Sequence, residues 1–358
     1  MNETTFRQLV SGKAEGAGAA VLRAVFAAAS HPYGWAVALR NRLYDRGRLA
    51  SHSVPSAVVS IGNLTTGGTG KTPLVIWLAN QLLARGRSCV ILTRGYRTAP
   101  ERVSDEPALL AKACGGAEVL VNPDRVLAAR KAVEKHHPDV LILDDGFQHR
   151  RLKRDLDILA IDASCPFGYG RLLPAGLLRE PVSSVRRAHI AVITRFDLAT
   201  EDQIANIEKT LRRYQPNLAV FHAVHKQRQA RTFHGRSIPV EQLAGKKAFV
   251  FCGIGNPPAF LRSLESLGIH PVGRLLFRDH HPYTQEDMNT ILRQARKVNA
   301  ELILTTEKDW VKTALLAGPE EPIPFYYLPV ELEFLTDPEP IVQAVLRQIE
   351  IKLHQEHP

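Results

Sequence analysis

The sequence predicts an α/β protein: a larger domain of parallel strands with helices on both faces, a smaller second α/β domain, and a basic amphipathic helical region at the N-terminus. Three observations predict it. From Ala57 onward, short β-branched apolar runs alternate with helical patterns, as strand–helix–strand crossover units require. A polar stretch, KQRQARTFHGR, divides two such series after about Gln227. The length, 358 residues, suits two cores at roughly 150 residues per domain.

Taken in order, the first element is an Ala-rich stretch between Gly16 and Ala29. Val21, Leu22, Val25, Phe26 and Ala29 mark one helical face, interrupted by Arg23 and expected to end at Pro32. A second helix is expected from about Trp35 to Arg48, mixing Trp35, Val37, Leu39, Leu43 and Tyr44 with four arginines. Residues 1–54 carry seven Lys and Arg against three Asp and Glu. Such a region suits a membrane interface, with apolar groups down and arginines near lipid phosphates. The pattern equally suits two helices packed on the main domain.

Residues 55–226 form the larger domain, with strands expected at AVVSI (57–61), CVILT (89–93), AEVLV (117–121), VLILD (140–144), DILAI (157–161), IAVIT (190–194) and LAVFHAV (218–224). Residues 227–358 form the smaller one, with strands at KAFVFCG (247–253), PVGRLLF (271–277), ELILTT (301–306) and PFYYL (324–328).

Composition narrows the function classes. Apolar residues make up 45% and charged residues 23%, which excludes collagen-like and low-complexity chains. The net charge of +10 favours an anionic partner: nucleic acid, an anionic membrane or a phosphorylated substrate. Arg150, Arg151, Lys153 and Arg154 cluster, but no nucleic-acid-binding motif accompanies them, so nucleic acid is not expected. Cys89, Cys114, Cys165 and Cys252 lie too far apart in sequence for a CxxC zinc pair or a dense disulfide framework. No secretory signal or membrane-spanning run occurs, and the expectation is a protein of the cytoplasmic side.

The strongest local signal is AVVSI, then GNLTTGGTGKTP, then the helical LVIWLANQLL. A strand, a glycine-rich loop and a helix opening at Lys-Thr make a phosphate cradle, so the larger domain is read as P-loop NTPase-like. Gly67, Gly68, Thr69 and Gly70 bring backbone N–H groups to phosphate oxygens, Lys71 bridges the β- and γ-phosphates, and Thr72 binds magnesium. The strict GxxxxGK[ST] pattern misses its first glycine, where Thr65 stands.

Four further blocks belong to this reading. VLILDDGFQHRRLKRD ends a buried-type strand in Asp144 and Asp145, where a magnesium-holding acid is needed; adjacent side chains diverge, so one of the two reaches the metal and the sequence leaves open which. SDEP (104–107) follows TRGYR (93–97) and offers Asp105 or Glu106 as a proton acceptor. FRDHHPYT (277–284) offers Asp279, His280 and His281, from which a histidine and the neighbouring carboxylate could form an orienting or relay pair. FGYGRLLPAGLLREP (167–181) is an irregular loop whose Arg171 and Arg179 suit a phosphate clamp.

Together with GIGNPPAF and TTEKDWVK, these blocks resemble the tetraacyldisaccharide 4'-kinase, or lipid A 4'-kinase, family from about residue 35 to Lys312. Its TTGGTGKT loop is similar to the form found here. The resemblance implies transfer of the ATP γ-phosphate to the 4'-hydroxyl of a tetraacylated disaccharide 1-phosphate by a monotopic enzyme at the inner face of a Gram-negative inner membrane. It implies ATP and Mg2+ as cofactors, a lipid A precursor disaccharide and an anionic membrane surface as partners, and no obligate protein partner. Carried over by motif, Lys71 and Thr72 hold ATP and magnesium, and Asp144 or Asp145 completes the metal site with Glu180. Asp105 is the catalytic base supported by His280, while Arg125, Gln148, Arg171 and Arg179 face the acceptor. The competing class is a P-loop GTPase or metallochaperone-like switch, suggested by the strand end Thr194–Asp197 within IAVITRFD.

Overall fold

The computed structural model describes residues 3–95, 105–232, 235–255, 257–279, 281–314, 316 and 322–356. Contacts divide the chain into two units. The first comprises 1–96, 113–224 and 332–358; the second comprises 97–112 and 225–331.

In the first unit, α1 (Glu3–Val10) and α2 (Ala17–Asp45) precede β1 (Ala57–Gly62), α3 (Lys71–Leu83) and β2 (Cys89–Thr93). Helix α4 (Asp105–Ala113), all but its last residue, belongs to the second unit. Then follow β3 (Glu118–Val121), α5 (Arg125–His136), β4 (Val140–Asp144), β5 (Leu156–Asp162), β6 (Ile190–Thr194), α6 (Glu201–Tyr214) and β7 (Ala219–Lys226). The strands lie in the order β7-β6-β5-β1-β4-β2-β3, and every neighbouring pair among them is parallel. Their residues are apolar on both faces because helices cover both. Val58, Leu141 and Leu143 share a core with Val126 and Ala129 of α5, while Leu159 and Ile193 pack with Ile204, Ile207 and Leu211 of α6. The crossover through α3 runs along the sheet in the opposite direction to those through α5 and α6, which places α3 on the other face for right-handed connections.

This topology puts the phosphate loop in position. The chain leaves β1 through α3 toward β2, then comes back through β4 and β5, the two strands flanking β1. A ligand crevice is expected at the carboxyl end of a strand where the winding reverses. The β1 loop and the end of β4 both lie there.

The second unit contains β8 (Gln229–Thr232), β9 (Ser237–Pro239), β10 (Ala248–Cys252), α7 (Pro257–Ser266), β11 (Pro271–Leu276), α8 (Gln285–Lys297), β12 (Leu302–Thr306), α9 (Glu307–Thr313) and β13 (Phe325–Leu328). Its sheet runs β11-β10-β12-β13-β8-β9, parallel except for the antiparallel β13–β8 and β8–β9 pairs. Phe260 and Leu264 of α7 cover one face, and Met288 and Ile291 of α8 pack with Phe249 and Tyr327 on the other. The chain then returns to the first unit as β14 (Glu331–Phe334), beside β7, and α10 (Glu339–Glu356). Ile341, Val342, Val345 and Ile349 of α10 are buried, and Lys352 pairs with Asp155 at 3.4 Å.

Three expectations need correction. Pro32 does not end a helix: α2 runs unbroken from Ala17 to Asp45 with the proline inside. A mid-helix proline forfeits one backbone bond, and the turns beyond it are held from outside. Tyr33 Oη donates to the Arg179 carbonyl at 2.9 Å, and Arg150 pairs with Asp45 at 2.7 Å. The C-terminal domain is not 227–358, because residues 332–358 pack with the first unit. KQRQARTFHGR contains strand β8, which has no alternating pattern because it pairs at the sheet margin.

Helix α2 is packed on the main domain along one side and leaves apolar side chains exposed along the other. Val21, Leu22, Val25, Trp35 and Leu39 remain exposed, Trp35 by 74%. Among the described residues no helix is long and apolar enough to cross a membrane.

Candidate active site

The phosphate loop is built by local rules. Gly70 caps α3 in the left-handed conformation at φ 82°, which reverses the chain so that Lys71 is the first helical residue. The turn after β4 packs tightly on the end of β1: a Cβ at Gly62 would stand 2.8 Å from the Phe147 amide nitrogen. Only glycine permits that approach.

Inside the loop, Asn63 Nδ2 donates to Thr69 Oγ1 at 2.9 Å, and Gln148 Nε2 donates to the Asn63 carbonyl at 2.8 Å. From outside, Thr194 Oγ1 donates to the Thr69 carbonyl and Arg195 Nη1 to the Gly68 carbonyl, each at 2.9 Å. The irregular segment 167–181 adds two backbone bonds, Thr66 N to Leu177 O at 2.8 Å and Arg179 N to Leu64 O at 2.7 Å. Loop carbonyls are thereby held outward by neighbours, a preorganised arrangement for receiving an anion.

Asp145 is the centre of charge. It follows β4 with φ 53°, a left-handed conformation rare outside glycine. Lys71 Nζ stands 3.4 Å from Oδ1, and Arg179 Nη1 stands 2.7 Å from Oδ2. Burial works to raise this carboxyl, but Lys71 and Arg179 outweigh it and hold the group below the ordinary carboxylate value. Buried Oδ1 has its lysine at the outer limit of hydrogen-bond distance. It is an orphaned carboxylate oxygen of the kind that fits a divalent cation. Asp144, on the other face of the strand end, is buried.

Other expected site residues are placed differently. Glu180 is wholly buried, with Arg40 Nη2 at 2.6 Å from Oε1 and Arg187 Nη2 at 2.6 Å from Oε2. Two guanidinium groups meet its two oxygens, so here it clamps α2, through Arg40, and Arg187 together. Arg125 is buried too, donating to the carbonyls of Asn122 at 3.0 Å and Asp144 at 3.4 Å, so it braces the β4 end and is not an exposed anion clamp. Gln148 likewise braces the loop through Asn63. Arg171 is exposed. His149 of the DDGFQH block is pushed down to about 4 by burial and by Arg125 and Arg151, which keeps it neutral near pH 7.

In the second unit the GIGNPP, DHHPYT and TTEKDWVK blocks converge on buried Asp309. Its Oδ2 accepts from Gly253 N at 3.0 Å and Thr306 Oγ1 at 2.6 Å. Burial raises this carboxyl, partly offset by these bonds and by Lys312, whose Nζ is 3.8 Å from Oδ1. Burial and Asp309 push the Tyr283 phenol up. His281 Nε2 meets Asp287 at 3.1 Å, and Asp279 meets Lys308 at 3.7 Å. His280 and the side chain of Asp105 lie outside the described residues; the Asp105 backbone opens α4.

A parallel sheet whose first strand feeds a glycine loop and a Lys-Thr helix, with an acid from the adjacent strand beside that lysine, defines a P-loop phosphotransferase. The family description that matches residues 22–350 is "Tetraacyldisaccharide-1-P 4'-kinase". The chain belongs to the tetraacyldisaccharide 4'-kinase family, and it is therefore a kinase of lipid A synthesis. It is 37% identical over 357 residues to the tetraacyldisaccharide 4'-kinase of Geobacter sulfurreducens, covering 95% of this chain and 97% of that one. Against the protein of the same name from Syntrophus aciditrophicus it is 40% identical over 305 residues, covering 78% of this chain and 81% of that one. The fold is similar to crystalline LpxK from Aquifex aeolicus in complex with ATP, with a TM-score of 0.71, 30% identity, and coverage of 92% of this chain and 99% of that chain. The GTPase-switch reading gives way: the Thr194–Asp197 strand end that suggested it braces the phosphate loop through Thr194 and Arg195.

Proposed function

We propose that this kinase binds ATP on the Gly67–Thr72 loop, with Mg2+ held by Thr72 and the carboxylates of the β4 end, and passes the γ-phosphate to a disaccharide 4'-hydroxyl presented at the cytoplasmic face of the inner membrane. The observation that carries the reading is the Lys71–Asp145–Arg179 triad beside the loop. Phosphoryl transfer asks for positioning and charge neutralisation more than covalent chemistry. With nucleotide bound, Lys71 would meet a phosphate oxygen, and Asp145 Oδ1 would be one of the oxygens able to hold the metal. Magnesium supplies neutralisation of phosphate charge. Arg179 remains on Oδ2 and keeps the carboxylate oriented and ionised.

Asp105 is proposed as the base that takes the 4'-hydroxyl proton, with His280 supporting it. In mixed micelles with radiolabelled ATP, magnesium and the lipid disaccharide 1-phosphate, the wild type is expected to yield a bis-phosphorylated product. Asp105→Ala is expected to lose transfer by about 10²–10⁴-fold, the usual worth of a general base, while ATP affinity changes less than about twofold. Near-wild-type turnover removes Asp105 from the chemistry.

A tetraacylated acceptor stays in the bilayer, so the enzyme must come to it. The exposed Val21, Val25, Trp35 and Leu39 of α2, with Arg23 and Arg42 on the same helix, suit that approach. The Val25→Glu, Trp35→Glu double variant is expected to bind anionic vesicles at least about tenfold more weakly, from lost apolar burial alone. Unchanged partitioning would count against this face.

A further inference from the structure

Helix α1 precedes the region matched by the family description, which begins at residue 22. It is nonetheless folded back in a defined way. The reversal uses Gly12 at φ 82° and Gly16 at φ 101°, both left-handed. Ser11 Oγ donates to the Gln8 carbonyl at 3.1 Å, and Arg23 of α2 donates to the Ala14 carbonyl at 2.6 Å. Phe6 then packs on Phe26 of α2 with ring centroids 6.0 Å apart, and Leu9 is buried.

That register delivers Arg7 to the phosphate loop. A Cβ added to Gly67 would collide with Arg7 Nη2, so the guanidinium lies directly against the loop backbone where Gly67 turns at φ 105°. Arg7 is also one of the charges acting on Cys165 and Tyr169, which places it beside the irregular segment that braces the loop. Lys71, Arg179, Arg195 and Arg7 stand around the loop with Asp145 and Asp162 between them. Cationic groups placed around a glycine loop in this way are of the kind that meets a polyphosphate.

We infer that Arg7 is a phosphate-binding residue of the kinase, supplied by the N-terminal hairpin and acting on the terminal phosphates of the bound nucleoside triphosphate. The inference rests on the proposed nucleotide site. It assigns α1 a role in nucleotide binding: the helix carries to the loop a guanidinium that stands fifteen positions before the start of the family match at residue 22.

The test is calorimetric titration of the full chain in detergent micelles with ATP and with AMP, comparing wild type, Arg7→Ala, Arg7→Lys and Lys71→Ala. Arg7→Ala is expected to weaken ATP about tenfold and AMP less than about twofold, since a charge-assisted bond to a terminal phosphate is lost only with ATP. Arg7→Lys restores most of the affinity, which a purely structural role would not predict. Unchanged ATP affinity in Arg7→Ala, tighter ATP binding, or equal losses for ATP and AMP each overturn the inference. If Arg7→Ala does not fold, the ATP-to-AMP ratio of Arg7→Gln decides by the same criteria. A wild type that does not bind ATP, with Lys71→Ala no different, overturns the nucleotide reading instead.

Discussion

Lys71→Ala is expected to lower kcat/KM for phosphoryl transfer by about 10³-fold, in the upper range for removal of one preorganised group that meets developing charge. The site explains why the loss falls on chemistry and not on folding. Lys71 opens α3 and its ammonium stands 3.4 Å from Asp145, which keeps Arg179 at 2.7 Å as a second counterion. Alanine is a good helix former, and the remaining Asp145–Arg179 pair leaves no carboxylate stranded. The melting temperature should therefore move by no more than about 2 °C. Lys71→Arg is expected to recover little, because a planar fork does not replace a compact ammonium at this spacing. The assay is initial rate against ATP concentration in mixed micelles, beside thermal unfolding of the same preparations. A variant retaining a tenth or more of wild-type kcat/KM places the neutralising charge elsewhere.

The parts of this site that were legible in the sequence are those whose chemistry is local. A strand feeding GGTGKT predicts its own loop and helix start, and a buried apolar run ending in Asp-Asp predicts an acid at a strand end. The sequence could not choose between Asp144 and Asp145, because that depends on the left-handed turn that swings Asp145 out beside Lys71. Eleven expected strands were found close to their predicted bounds, since a parallel sheet covered on both faces writes itself as continuous apolar runs. Strand β8 and strand β14 carry no such run, and both sit toward the sheet margins where half their surface needs no burial. Long-range partners were hidden altogether. Nothing near Glu180 in sequence announces Arg40, 140 positions away, and nothing near Gly67 announces Arg7.

Glu180→Ala is expected to destabilise the first unit by about 3 kcal/mol, at the lower end of the range for breaking a buried ion pair. Glu180 is inaccessible to solvent, and Arg187, its partner at 2.6 Å, has a largely buried side chain. The Arg187 guanidinium also lies 4.3 Å over the Phe147 ring and has Nε and Nη1 buried without hydrogen bonds. Removing the carboxylate leaves that charge uncompensated in a largely buried place. Arg40, whose side chain is 39% exposed, can turn to solvent, which is why the cost stays near the lower bound. The loss should appear as a fall in melting temperature of roughly 6–12 °C, with α2 becoming sensitive to protease because its Arg40 tether to the core is gone. Adding Arg187→Leu to Glu180→Leu is expected to return much of the stability, since a well-packed apolar pair often replaces a buried ion pair at little cost. The two roles considered for Glu180 separate cleanly in this experiment. A clamp lowers stability and is rescued by the apolar pair; a metal ligand raises the magnesium requirement of Glu180→Gln while leaving its unfolding within about 1 °C of wild type.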